Sequence, residues 1–287
     1  MTQPPNVLVF DSGLGGLTVF AEIRKLLDDV NLVYAADDAA FPYGARSEAG
    51  VIQRVEHIME WLIAGQRPDL ICIACNTAST IALKPLRSRF PDMPFVGTVP
   101  AIKPAAKMSR SKMITVLATP GTVTREYTRE LVRDYAADCA VELVGSRRLA
   151  SLAETYMQGE AVDDEAIATE IAPCFQLLND ERRTDAIVLA CTHYPLLREH
   201  FSRLAPWPVD WIDPAPAIAR RVLHVLTEQG YVKQEAGKRL PGPFPALFSS
   251  GRTLLPSLIK ALRAHDLVAA TTASLLPCPS LHDPINV

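Results

Sequence analysis

The stretch Asp185–Leu197, DAIVLACTHYPLL, decides how this chain is read. An apolar run ends at Cys191, and Thr192, His193 and Pro195 follow. A thiol thus sits at the mouth of a strand with a hydroxyl and an imidazole beside it. Asp69–Ser79, DLICIACNTAS, has the same frame: an aspartate, five residues, a cysteine, then small polar residues. The interval between the two aspartates equals the interval between Cys75 and Cys191. A single repeat at that distance is no solenoid period; it points to two similar halves of one protein.

Working outward, short apolar runs alternate with helical stretches. Strands are expected at Asn6–Phe10, Asn31–Ala35, Leu70–Ala74, Phe95–Val96, Met113–Ala118, Val141–Val144, Ala186–Ala190, Val209–Ile212 and Pro245–Ser249. Between them fall helices, the strongest at Ser47–Ala64. There Ser47 is the N-cap, and Ile52, Val55, Ile58, Met59, Leu62 and Ile63 share one face. Thr77–Phe90 is a helical segment that Pro85 should kink or restart. Further helices are expected at Ser146–Met157, Asp164–Leu178, Ile218–Gln229 and Leu254–Ala264, and an irregular last twenty residues. GTVPAIKPAA reads as a crossing between domains. Nearly continuous apolar strands alternating with helices imply an α/β fold of mostly parallel sheets covered on both faces. In such sheets ligands bind at the carboxyl ends of strands. The residues to weigh there are Asp11-Ser12, Asp37-Asp38, Cys75-Asn76-Thr77, Thr119 and Cys191-Thr192-His193.

The chain has 287 residues, which at roughly 150 per domain suggests two domains. Its hydrophobic content of 48% supports a sizeable core, and its net charge of −3 is dispersed, so no nucleic-acid partner is expected. No apolar run reaches the roughly 20 residues of a membrane span, and no secretory signal opens the chain. Six cysteines without framework spacing fit a reducing, cytoplasmic location. Cys72 and Cys75 form C-x-x-C, but no second such pair completes a zinc site. In an alternating strand Cys72 also points away from the face that Cys75 uses. No metal and no cofactor is called for.

A thiolate is a competent base and a thiol a competent acid, and a helix N-terminus supplies the positive potential that favours the thiolate. One of each on opposite faces of a carbon centre inverts it: one side takes the α-proton and the other returns a proton. His193 is placed to hold or relay the proton of Cys191, and Asp11 that of Cys75. Taken alone, His193 is as well explained as a helix-start residue and Asp11 as an N-cap. The DSGLGG turn offers backbone N–H groups to an anion. It is not G-x-G-x-x-G, because Thr18 holds the third glycine position, so no dinucleotide site is expected. FPYGARS, Phe41 to Ser47, reads by turn chemistry as a connection.

The set DSGLGG, FPYG, ACNTAS, GTVP, LATPGT and ACTHYPLL resembles the glutamate racemases of the cofactor-independent aspartate/glutamate racemase superfamily, in order from Val9 to about Arg220. The resemblance implies two similar α/β domains with the active site in a cleft between them: residues 1–97 with 213–287, and residues 98–212. It implies interconversion of L- and D-glutamate without cofactor, supplying D-glutamate for peptidoglycan. Cys75 would act on D-glutamate and Cys191 on L-glutamate. Asp11, Ser12, Tyr43, Gly44, Asn76, Thr77, Thr192 and His193 match substrate-contacting positions. Thr119 and Thr122 lie in the matching threonine-rich turn, and Glu154 matches an auxiliary carboxylate near the second cysteine; it reads equally as a solvent-facing helix residue. One departure is IDPAPAIARR, where Pro214 and Ala215 replace the family's Ser-Gly; a proline suits a first helical turn, so the turn should survive. Some members carry an N-terminal extension linked to regulation by a cell-wall precursor; this chain has none, and such regulation is not expected.

The other readings are a racemase of the same superfamily acting on aspartate or another small acid, a non-catalytic binding or regulatory protein on the same fold, and a redox protein using Cys72 and Cys75. The partner expected is a small-molecule substrate, with no membrane; a homodimer stays open.

Overall fold

The computed structural model describes residues 4–178, 182–231 and 240–270. They fall into two compact units. The first runs to Thr98 and resumes at Ala215; the second is Val99–Pro214. In chain order the strands are β1 (Asn6–Asp11), β2 (Asn31–Ala36), β3 (Leu70–Ile73), β4 (Phe95–Gly97), β5 (Met113–Ala118), β6 (Ala140–Gly145), β7 (Leu177–Leu178), β8 (Arg182–Arg183), β9 (Ala186–Ala190), β10 (Asp210–Ile212), β11 (Phe244–Phe248) and β12 (Leu267–Ala269).

Among the described residues, the first unit holds a six-stranded sheet in the order β12-β11-β2-β1-β3-β4. Every pairing in it is parallel. The second unit holds a four-stranded sheet, β10-β9-β5-β6, again all parallel, and a small antiparallel pair, β7-β8. β3, β5 and β9 are buried at every residue, which is why they read as unbroken apolar runs rather than alternating ones. β6 lies at a sheet edge and is mostly exposed or half-buried, as an edge strand should be.

The helices cover these sheets. Glu48–Gln66 is capped as expected, the Ser47 hydroxyl accepting from Gly50 N–H at 3.2 Å, and its Val51, Val55, Ile58, Met59 and Leu62 are buried. The core on that side gathers Leu8, Phe10, Ile71 and Ile73 from the strands with Ala78, Ala82 and Leu86 from the helix Asn76–Arg89. In the second unit Ile114, Val116, Ala118, Val188 and Ala190 pack with Ile102, Ala105 and Ala106.

Several boundaries differ from the sequence expectation. The helix Asn76–Arg89 carries Pro85 inside it and is not broken there. The helix expected over Asp164–Leu178 stops at Ile171, and Ala172–Cys174 continues as a 3₁₀ turn. Pro173 is the cause, since it lacks the N–H that would continue the ladder and its ring clashes with the preceding turn. GTVPAIKPAA contains the helix Ile102–Met108; Pro104 is tolerated because it falls in the first turn. β12 was not expected at all, and the rest of the segment read as irregular lies outside the described residues beyond Ala270. The helix after β10 begins at Ala215, directly after Pro214, so the turn survives the substitution.

Candidate active site

The strand orders locate the two cysteines. In the first sheet the chain leaves β1 for β2 on one side and returns with β3 on the other, so the order reverses between β1 and β3. Phe10 pairs with Ile73 there, and Asp11-Ser12 and Cys75 follow those strand ends. In the second sheet β5 is flanked by β6 on one side and β9 on the other, and Ala118 pairs with Ala190. Thr119 and Cys191 follow directly. Ligands of open α/β sheets bind at such switch points. Each cysteine therefore occupies the ligand-binding position of its own sheet.

Cys75 is the N-cap of the 14-residue helix Asn76–Arg89, its sulfur accepting from Ala78 N–H at 3.5 Å. The positive end of that helix stabilises a thiolate. Ser12 Oγ lies 3.5 Å from the sulfur and 3.3 Å from Asp11 Oδ1. Asp11 Oδ1 also accepts from Ser12 N–H at 2.5 Å and Gly13 N–H at 3.3 Å. The glycine turn expected to cradle a ligand's anion thus spends two of its N–H groups on Asp11. The turn needs Gly16: a Cβ there would come within 2.7 Å of Asp11 Cβ. Asn76 and Thr77 open the helix and are buried. Neither polar atom of the Asn76 side chain has a hydrogen-bond partner among the described residues, although Asn76 is only 3% exposed. A buried, unsatisfied amide costs about 1–3 kcal/mol, so these two atoms are positioned to serve a bound ligand with both a donor and an acceptor.

Cys191 is served differently. The chain bends after β9, forms the 3₁₀ turn Tyr194–Leu197, and starts the helix Arg198–Leu204 only afterwards. The helix N-terminus is thus displaced from this cysteine; Pro195 is the second residue of the intervening tighter turn. Its role is taken by His193, whose Nδ1 is 3.9 Å from Cys191 Sγ and whose Nε2 is 2.8 Å from Glu154 Oε1. Burial opposes charge on His193, but the hydrogen bonds to Cys191 and Glu154 outweigh it and hold the imidazole well above its ordinary pKa. Glu154, on the helix Leu149–Met157, is buried and aimed inward, not solvent-facing. Thr192 is buried beside Cys191. Thr119 Oγ1 and Thr122 Oγ1 are 3.1 Å apart, and Thr128 Oγ1 donates to the Thr122 carbonyl at 2.7 Å.

Tyr43 and Gly44 lie in the 3₁₀ turn Tyr43–Ala45. The Tyr43 hydroxyl donates to Asp37 Oδ2 at 2.5 Å, and burial, then Asp37, pushes the phenol well above its usual range. Tyr43 is therefore no proton carrier; the turn offers backbone instead. Cys72 is fully buried in β3, and burial pushes its thiol up to about 12. Neither Cys72 nor Cys75 is joined in a disulfide. The sequence reading gave no role to Arg54 or Ser249, which converge on Asp37. The only signal was position: Ser249 follows an apolar strand, and Arg54 interrupts an apolar helix face.

The chain is similar to several known proteins. The family model for Asp/Glu/Hydantoin racemase matches residues 14–222. The glutamate racemase of Agrobacterium fabrum is 56% identical over 220 residues, 77% of this chain and 80% of that protein. That of Sinorhizobium medicae is 51% identical over 252 residues, 88% of this chain and 90% of its own. The Escherichia coli glutamate racemase structure, in complex with L-glutamate and activator UDP-MurNAc-ala, superposes with a TM-score of 0.82 at 39% identity, covering 93% of this chain and 97% of that one.

Proposed function

Since the chain belongs to the Asp/Glu/hydantoin racemase family, we propose that it interconverts L- and D-glutamate by proton transfer between Cys75 and Cys191. In this reading the discontinuous first domain supplies Cys75 and the second supplies Cys191. The Cys75 thiolate takes the α-proton of D-glutamate while the Cys191 thiol gives its proton to the opposite face, yielding L-glutamate. Cys75 is left as thiol and Cys191 as thiolate, the state that runs the reverse reaction. His193, held protonated against Glu154, stabilises the sulfur anion on its side.

The α-proton is weakly acidic, so donors fixed around the carboxylate must lower the carbanion's energy; each 1.36 kcal/mol is tenfold in rate. Asn76, Thr77, Thr192 and Ser12 fill that role, with Thr119 and Thr122 at the second switch point, while the Tyr43–Gly44 backbone holds the substrate equally in the ground and transition states. No helix among the described residues is long and apolar enough to cross a membrane. D-glutamate made in the cytoplasm feeds peptidoglycan synthesis, and the enzyme works as a monomer or a homodimer.

The observation that carries the reading is the position of both cysteines, each at the switch point of its own parallel sheet. The test is incubation of metal-free, cofactor-free protein with L-glutamate in D₂O. Decay of the circular dichroism signal with one deuterium entering the α-carbon supports it. A folded protein that does neither, or that prefers aspartate in a panel of enantiomers, sinks it.

A further inference from the structure

Asp37, one residue beyond β2, is the hub of a buried polar cluster. Its carboxylate accepts from Tyr43 Oη at 2.5 Å and Arg54 Nε at 2.7 Å on Oδ2. On Oδ1 it accepts from Ser249 Oγ at 2.6 Å and from Arg54 Nη2. These donors come from the turn Tyr43–Ala45, the helix Glu48–Gln66 and the end of β11. Asp37 N–H donates to the Asp11 carbonyl at 2.9 Å, which ties the hub to the start of DSGLGG.

The loop between Asp37 and Ser47 is closed by the same residues. Ala40 N–H donates to the Asp37 carbonyl at 3.1 Å, and Arg46 N–H to the Tyr43 carbonyl at 3.1 Å. Arg46 Nε donates to the Ala40 carbonyl at 2.5 Å, and Ala39 N–H to Ser249 Oγ at 3.0 Å. The Tyr43 ring packs in one apolar cluster with Cys75 and Ala78. Both Asp37 oxygens are spent on protein donors, so this carboxylate offers nothing to a substrate. A buried ion pair is seldom the most stabilising way to fill its space, and geometry is the better reason to keep one.

We propose that Asp37, Arg54 and Ser249 are positioning residues that fix the Tyr43–Gly44 backbone beside Cys75, and so set the affinity for substrate rather than the proton-transfer rate. This rests on the racemase reading above. The decisive variant is Tyr43→Phe, which keeps the ring and removes the hydroxyl that joins the turn to the hub. KM for both enantiomers should rise about fivefold to twentyfold with kcat within about twofold, the pattern of lost uniform binding. Ser249→Ala, on the far side of the hub, should shift KM the same way by less.

Amide hydrogen exchange across residues 39–46 should quicken in Tyr43→Phe while exchange elsewhere holds. A lower Tm with KM and loop exchange unchanged overturns the proposal, as does a fall in kcat at constant KM. A wild-type protein silent toward glutamate, whose loop still loosens in Tyr43→Phe, breaks the racemase reading and leaves the hub as loop anchor. An active wild type whose variant changes neither KM nor exchange breaks the hub instead.

Discussion

Cys75 and Cys191 end matching strands, yet different chemistry surrounds them. Cys75 is held by backbone: a helix N-terminus, the Ala78 N–H, and Ser12 as its hydroxyl neighbour. Cys191 has a side-chain cation instead, His193 anchored by Glu154. The helix dipole is a fixed charge that pH does not remove; the imidazolium titrates. One half of the pair is therefore tuned by the fold and the other by a proton. L- and D-glutamate have equal free energy, so kcat/KM must be equal in the two directions in the wild type and in every variant. The asymmetry of the junctions can show only in kcat and KM taken separately.

The largest effects break the pair outright. Cys75→Ala and Cys191→Ala should each lower racemisation by about a thousandfold or more, since either loss removes an acid or base worth about 10²–10⁴. Circular dichroism with each enantiomer measures this, and a single variant that still turns over shows that the two junctions do not share one substrate. Next comes the titrating side. His193→Gln should lower kcat/KM about a hundredfold in both directions, with kcat and KM diverging between L and D. Glu154→Gln, one bond further out, should cost about tenfold, within the charge-assisted hydrogen-bond range.

The His193 difference also appears in stability. Its folded pKa is raised above the unfolded value of about 6.5. The stabilisation it supplies is therefore fully present below about pH 6.5 and is lost as pH rises through the folded value. The Tm advantage of wild type over His193→Gln should shrink as pH climbs from 6 toward the alkaline side. An advantage that grows instead means the imidazole is neutral in the fold. On the Cys75 side, Asn76→Ala should raise the Tm of the free protein by a few degrees while weakening substrate, because it removes an amide without partners. Relief of about 1 kcal/mol corresponds to about 2–4 °C for a domain of this size. A falling Tm shows that the amide is satisfied without ligand.

How much of this was legible in the sequence follows from what each feature depends on. Strands β3, β5 and β9 were readable because burial on both faces leaves continuous apolar runs, and Ser47 because a cap is a local event. Cys75 and Cys191 stood out through their duplicated frame. Leu267–Ala269 was missed because a three-residue edge strand has no periodicity to detect, and Ile102–Met108 because Pro104 masks a first turn. The Asp37–Arg54–Ser249 hub was invisible for another reason. Its members are separated by up to 212 residues, and only the sheet order β11-β2-β1 brings them together. Glu154 was ambiguous in sequence because a helix carboxylate reads the same whether it faces water or His193.

The smallest expected effect is the most discriminating about register. Cys72 is three residues before Cys75 and chemically identical, but it lies inside β3, paired with Val9 and Val96, and fully buried. Its thiol, pushed up to about 12 by burial, is protonated at any physiological pH. Cys72→Ala should leave kcat and KM within about twofold and cost about 1 kcal/mol in denaturant unfolding, the usual loss for a small buried side chain. Alkylation of the native protein should spare Cys72, and oxidant should not consume it together with Cys75. If Cys72→Ala stopped turnover while Cys75→Ala did not, the register of β3 would be wrong and the comparison between the junctions would lose its first member.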